Sequence, residues 1–180
     1  MTIREICEKA KELTNTSFEL GTDSQPANSM AALLIKCAKF TVSEITSLYV
    51  PLKAKETATF SDSKLQYYAL PYAVKEVLKV EIRGTECEFE AFPDFIFCKD
   101  AANATASITF LYTISPSSLD TPFNLPPKIS IETLAFGALT EYYLRRGETE
   151  EGIFFRNRYD FALAKATVSK RSVRLRPNVL

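Results

Sequence analysis

The 180 residues contain no histidine. The side chain that most often moves protons near neutral pH is therefore missing, and neither a Ser–His nor a Cys–His nucleophile pair can be built. Cys7, Cys37, Cys87 and Cys98 form no CxxC pair, and each sits in an apolar stretch. Such cysteines read as small buried hydrophobes kept free in a reducing compartment, and their spacing does not suit zinc. The five glycines form no phosphate-cradling loop of either the P-loop or the dinucleotide type. Glu86, Glu88 and Glu90 recur on one strand face, where three carboxylates could chelate a cation. The exposed face of a hairpin is the commoner reason for such a pattern, and Glu148, Glu150 and Glu151 suit a helix N-terminus. The expectation is a protein that is no enzyme, with no catalytic residue, no metal and no cofactor.

The remaining cluster is basic. Lys170, Arg171, Arg174 and Arg176 follow one another without an acid, and Ser172 to Leu175 alternates in a strand-like way. Val173 and Leu175 could bury in a protein partner while the arginines pair with its acids. A frayed, solvated terminus is the plain alternative. Binding to RNA or to a membrane surface suits the segment less, because it is short and has no interleaved aromatics. Lys plus Arg equal Asp plus Glu at 22 each, so no net field draws in nucleic acid. No run approaches the roughly 20 apolar residues of a membrane helix. Arg4 and Glu5 open an amphipathic stretch that does not read as a secretory leader, which predicts a soluble, cytoplasmic protein.

These residues need elements to hold them. Hydrophobic residues make up 46% of the chain and charged ones 24%, enough for one domain with a core. Thr2 to Glu5 spells a capping box before a helix over 2–14. Asn15 to Asn28 is loop chemistry, and Ser29 is placed to cap a helix over 29–48 that Pro51 stops. From 53 to 112 the hydrophobic period becomes two, which predicts an antiparallel sheet open to water on one side. Its clearest hairpin sets Leu78, Val80 and Ile82 against Cys87, Phe89 and Ala91 across a Gly84-Thr85 turn. Ser115 to Pro127 is a link with four prolines, and Pro126 and Pro127 suit the first turn of a helix over 127–146. Gly147 ends that helix, and Thr149 caps a fourth over 149–168 with Phe155, Tyr159, Ala162, Leu163 and Ala166 as its apolar stripe. A link this short makes the last two helices an antiparallel hairpin. The fold class is α+β: N-terminal helices and a C-terminal αα-hairpin with an inserted antiparallel β-sheet. Residues 1–168 form the domain and 169–180 an extended basic tail. The expected interface is that tail together with the polar face of the last helix.

Six segments carry a resemblance. Leu125-Pro126-Pro127, then Ala135 to Leu144, then Gly147-Glu148 resemble the C-terminal half of phage head–tail connector (adaptor) proteins. The strand Ile108 to Tyr112, the helix around Phe155 to Ala164 and the basic end Val173 to Pro177 are similar to segments found there in the same order. The resemblance implies a structural virion protein that forms a ring of about twelve subunits on the portal, symmetric and closed. Its partners would be the portal protein and tail or neck proteins, with DNA passing through the channel without sequence specificity. The protein would be made in the host cytoplasm and end in the virion neck. Another neck, stopper or tail-completion component, or a non-viral protein-binding module, are the alternative readings.

Overall fold

The capping box closes in a computed structural model of the chain, which describes residues 1–167. Glu5 N–H donates to Thr2 Oγ1 at 3.2 Å, and Thr2 N–H donates to the Glu5 carboxylate at 2.8 Å. Helix α1 (Ile3–Thr14) follows and buries Ile3, Ile6, Cys7 and Ala10. Asn15 ends it in the left-handed region at φ 52°, where asparagine is tolerated.

Helix α2 (Ser29–Glu44) is capped one residue earlier than expected. Asn28 Oδ1 accepts from Ala31 N–H at 2.8 Å, so Ser29 is the first helical residue. An amide oxygen caps as well as a hydroxyl, and sequence alone could not rank the two neighbours. After Glu44 the helix widens into a π-helical turn, Ile45–Tyr49. Val50 N–H reaches back to the Ile45 carbonyl at 2.9 Å, and Pro51, without an N–H, stops the turn.

The β insertion is antiparallel throughout, but its strands divide into two sheets. Strands β1 (Leu52–Thr59), β3 (Ala73–Ile82), β4 (Thr85–Cys87) and β7 (Thr105–Thr113) form one, in the order β1-β7-β3-β4. Strands β2 (Lys64–Gln66), β5 (Glu90–Ala91) and β6 (Phe95–Phe97) form the other, in the order β2-β6-β5. Both sheets close over one core that includes Phe60, Leu65, Val80, Ile96, Ile108 and Phe110. Leu65 and Ile96 of the small sheet cover the inner face of the larger one, a division the sequence did not predict. The outer face of the larger sheet, with Lys53, Lys55, Thr57 and Thr59, is open to water as expected.

The hairpin also differs in detail. Ile82 pairs with Thr85, leaving Arg83-Gly84 as the two-residue turn with φ 51° and 84°. Positive φ at both positions is the twist a tight hairpin favours. A register shift against β7 between Val77 and Lys79 breaks the alternation of β3. Val77 and Val80 therefore face the core, and Leu78 is exposed.

The proline-rich link is packed, not free. Leu119, Phe123 and Ile129 are buried in the helical core with Ile6, Leu34 and Leu134. Phe123 N–H donates to the Met1 carbonyl at 2.9 Å and Arg4 N–H to the Leu119 carbonyl at 3.0 Å. Pro126 and Pro127 precede the next helix in a turn closed by Ile129 N–H on the Pro126 carbonyl, 2.9 Å. Helix α3 (Ile131–Arg146) begins only after Ser130, whose hydroxyl accepts from Thr133 N–H at 3.1 Å. The start expected at 127 is thus late by four residues, because Ile129 must first drop into the core.

Gly147 (φ 79°) closes α3 with its own N–H on Leu144 and the Glu148 N–H on Tyr143. Helix α4 (Thr149–Thr167) starts on Thr149 itself. Its cap position is therefore Glu148, whose carbonyl accepts from Gly152 N–H at 3.0 Å. Helix α3 is central, packed by α1, α2 and α4. At Gly137 the approach is closest: a Cβ there would lie 2.5 Å from Thr41 Cγ2 and 2.9 Å from the Tyr159 ring.

Helical and sheet cores meet at the π-turn. Thr46, fully buried, donates its hydroxyl to the Val42 carbonyl at 3.0 Å and accepts from Ile114 N–H at 3.1 Å. Ser43 Oγ donates to the Ile114 carbonyl at 3.1 Å, and Lys75 donates to the Ser47 carbonyl. Two hydroxyls so satisfy the backbone of Ile114 where β7 leaves its sheet.

Candidate interaction surface

Helix α4 is apolar on two faces. The inner face is the stripe expected from the sequence: Phe155, Tyr159 and Leu163 are buried, with Ala162 and Ala166 partly so. Phe155 lies 5.6 Å from the Tyr143 ring, stacked, and 6.4 Å from the Phe136 ring, which fixes α4 on α3. The outer face was expected to be polar, and this is corrected by Ile153, Phe154 and Phe161, 54%, 51% and 74% exposed. Phe154 and Phe161 are seven residues apart, two helical turns, and so share one line on the surface. Arg158 stands between them, with its guanidinium 4.5 Å from the Phe154 ring centre and 5.9 Å from that of Phe136. Phe154 is the exposed one of the two rings, and a cation over an exposed ring is a common ingredient of protein contacts.

Beside this line the surface is concave. A cleft of about 660 Å³ runs between the start of α3 and the end of α4, lined by Thr133, Phe136, Phe161, Ala162 and Lys165. A second groove of about 320 Å³ holds Tyr49, Pro51, Pro126, Ile129 and Thr167. Both are bordered by Lys128 and Ala166. The aromatic line and the two hollows together make a surface at the end of α4 that is apolar at Phe136, Phe161 and Ile129 and charged at Lys128, Glu132 and Lys165. The residues expected to bind a partner, Lys170, Arg171, Val173, Arg174, Leu175 and Arg176, lie outside the described residues. They follow directly in sequence from this end of the helix.

Glu86, Glu88 and Glu90 do not share one strand face. Glu86 is paired with Lys79 at 3.2 Å, while Glu88 leaves β4 and Glu90 joins the second sheet. Among the described residues no three Cys, Asp or Glu side chains converge where a metal ion could sit. All four cysteines are free thiols. Burial pushes the Cys7 thiol up to about 12 and the Cys37 thiol to about 11, so neither supplies a thiolate nucleophile at neutral pH. Burial, and then the neighbouring charge of Glu44, also raises the Tyr159 phenol above its ordinary value.

Sequence reasoning missed Phe154 and Phe161 because one apolar stripe was enough to explain the helix. Their heptad spacing was the available signal: a helix apolar on both sides has a second face to bury. Among the described residues no helix is long and apolar enough to cross a membrane. No protein-family model matches this sequence, and no curated protein is similar to it.

Proposed function

We propose that the protein is a structural assembly protein, a head–tail connector (adaptor) that joins a ring on the phage portal and carries the tail or neck proteins below it. The observation that carries this reading is the outward aromatic line of α4. It crowns a helical hairpin of the kind named in the resemblance and runs into the basic segment Lys170 to Arg176. A helix that buries one apolar face and exposes another is built to be covered by protein. The neutral net charge suits a channel wall that lets DNA pass without holding it.

The test is assembly on a purified portal ring from the same genome. Sedimentation of mixtures should show the protein moving with the portal at a fixed stoichiometry, and isolated protein should sediment as monomer or weak oligomer. Many weak contacts become strong when a template repeats them by symmetry. No co-sedimentation with the portal, but binding to a tail component, would transfer the role to a neighbouring neck protein. Binding to neither would remove the virion role.

A further inference from the structure

The run from Thr85 to Ala91 has an unusual position: it passes from the edge of one sheet to the edge of the other. Strand β4 is the outermost strand beside β3, and β5 is the outermost beside β6. Edge strands offer unpaired backbone groups, which folds either blunt or use. Against this edge lies a cleft of about 600 Å³ with Cys87, Phe89 and Phe97 as its apolar part and Glu86, Glu88 and Glu90 as its acidic part. Lys99 is the single cation of the lining, and Glu86 is already paired with Lys79. Among the described residues Glu88 and Glu90 are in no ion pair, and both are exposed.

We propose that this cleft receives the segment Val173-Arg174-Leu175-Arg176 of a second copy of the chain, added as a strand at the free edge. Both segments alternate with period two. In the cleft Cys87 and Phe89 alternate with Glu86, Glu88 and Glu90; in the incoming segment Val173 and Leu175 alternate with Arg174 and Arg176. Side chains on neighbouring strands share a face, so a strand added beside β4 (Thr85–Cys87) sets Val173 or Leu175 next to Cys87 and an arginine next to Glu86. Glu88, Phe89 and Glu90, beyond the end of β4, add charge and apolar surface to the same cleft. Because both periods are two, the match holds whether the added strand runs parallel or antiparallel. Strand addition uses main-chain hydrogen bonds for affinity and alternate side chains for specificity. Pro177, which has no N–H to donate, ends the segment where pairing should stop.

Reach decides between the same copy and the next one. Thr167 shares its groove with Pro51, just before β1, whereas the cleft lies at β4, three strands away in the order β1-β7-β3-β4. Leu52 pairs with Tyr112, while Cys87 is level with Ile108 through Val80. That is about 14 Å across and about 13 Å along, roughly 19 Å in a line straight through packed protein. Residues 168–173 span at most about 21 Å fully extended, which leaves no slack for going round the sheet. The segment of one copy therefore serves the cleft of another. Such a contact is head-to-tail, with different surfaces on the two sides, and it generates rings when its rotation closes.

The proposal deepens the ring reading above by naming one subunit contact, yet it is tested on isolated full-length protein with no portal present. Its failure and the failure of portal binding are separate results. Cys87 is the partly exposed thiol and sits in the cleft, whereas Cys7, Cys37 and Cys98 are buried. Full-length Val173→Cys and Leu175→Cys, each held with oxidised glutathione, should give a ladder of disulfide-linked dimers and larger species on non-reducing gels. Adding Cys87→Ser should remove the ladder. Reversing the cleft with Glu88→Arg and Glu90→Arg should slow its formation by about tenfold or more, since like charges then face each other. Combining that reversal with Arg174→Glu and Arg176→Glu should restore it, with circular dichroism confirming that each variant is folded. Absence of a ladder, a ladder indifferent to charge reversal, or a disulfide formed only within one chain would each overturn the proposal.

Discussion

The Tyr159 hydroxyl donates to the Glu44 carboxylate at 3.1 Å, tying the middle of α4 to the last residue of α2. The ring beneath is 3% exposed and covers the glycine at 137, so one side chain fastens three helices together.

Tyr159→Phe keeps the ring and removes the bond. It should lower the unfolding free energy by about 1 kcal/mol, read from urea midpoints at neutral pH. The phenol is raised by burial and by Glu44, so the folded state holds its proton longer than the unfolded chain. That contribution is whole below the unfolded tyrosine value near about 10 and is lost as pH rises beyond it. Wild type should lose stability with pH above this point more steeply than Tyr159→Phe. Parallel curves would show that the bond is not made in solution.

Gly137→Ala should be far more damaging than its helix propensity suggests. Alanine favours a helix, but its methyl would meet Thr41 and the Tyr159 ring below contact distance. Overpacking of this kind costs roughly 1–3 kcal/mol. Thr41→Ser removes the nearer methyl and should recover part of the loss in the double variant. A stabilised Gly137→Ala protein would mean that α2 and α4 can move apart freely.

Strong acid should loosen the packed link. Asp23 accepts from Lys39 Nζ at 2.8 Å and from Leu119 N–H. Burial works against its charge, but the hydrogen bonds from Lys39 and Leu119 prevail and hold the carboxyl below its ordinary range. A depressed carboxyl stabilises above its unfolded value, about 3.9, and that stability is lost as pH falls through the lower folded value. Asp23→Asn should therefore be less stable than wild type at pH 7, with the gap closing as pH falls through the lowered folded value. A gap independent of pH would assign the loss to packing.

Strong local signals were legible in the sequence, and their competition was not. The capping box at Thr2, the Gly147 stop and the inner stripe of α4 each depend on a few neighbouring residues, and all appear where the pattern put them. Leu78 fails because a bulge against β7, a strand almost thirty residues away, resets the alternation. Pro126 and Pro127 fail because burial of Ile129 outranks the fit of proline to a first helical turn. The split into two sheets is likewise set by which long-range partner each short strand finds. The aromatic line was in plain view as Phe154 and Phe161, but exposure is a tertiary fact.

That line yields the sharpest separation of folding from function. Phe161 is 74% exposed and borders the cleft between α3 and α4, while Phe154 sits under Arg158. Phe161→Ser removes apolar surface that the folded monomer leaves in water. Its unfolding free energy should stay within about 0.5 kcal/mol of wild type, the range of ordinary surface changes. Portal binding, under the function proposed here, should weaken by about tenfold or more, as expected for a buried aromatic anchor. Phe155→Ser is the contrasting variant: its ring stacks on Tyr143 inside the hairpin, and it should unfold the protein more readily whatever the partner. If Phe161→Ser binds the portal as wild type does, the aromatic line is not the contact surface. If it instead lowers the unfolding free energy as far as Phe155→Ser, the outer face of α4 is covered by its own chain.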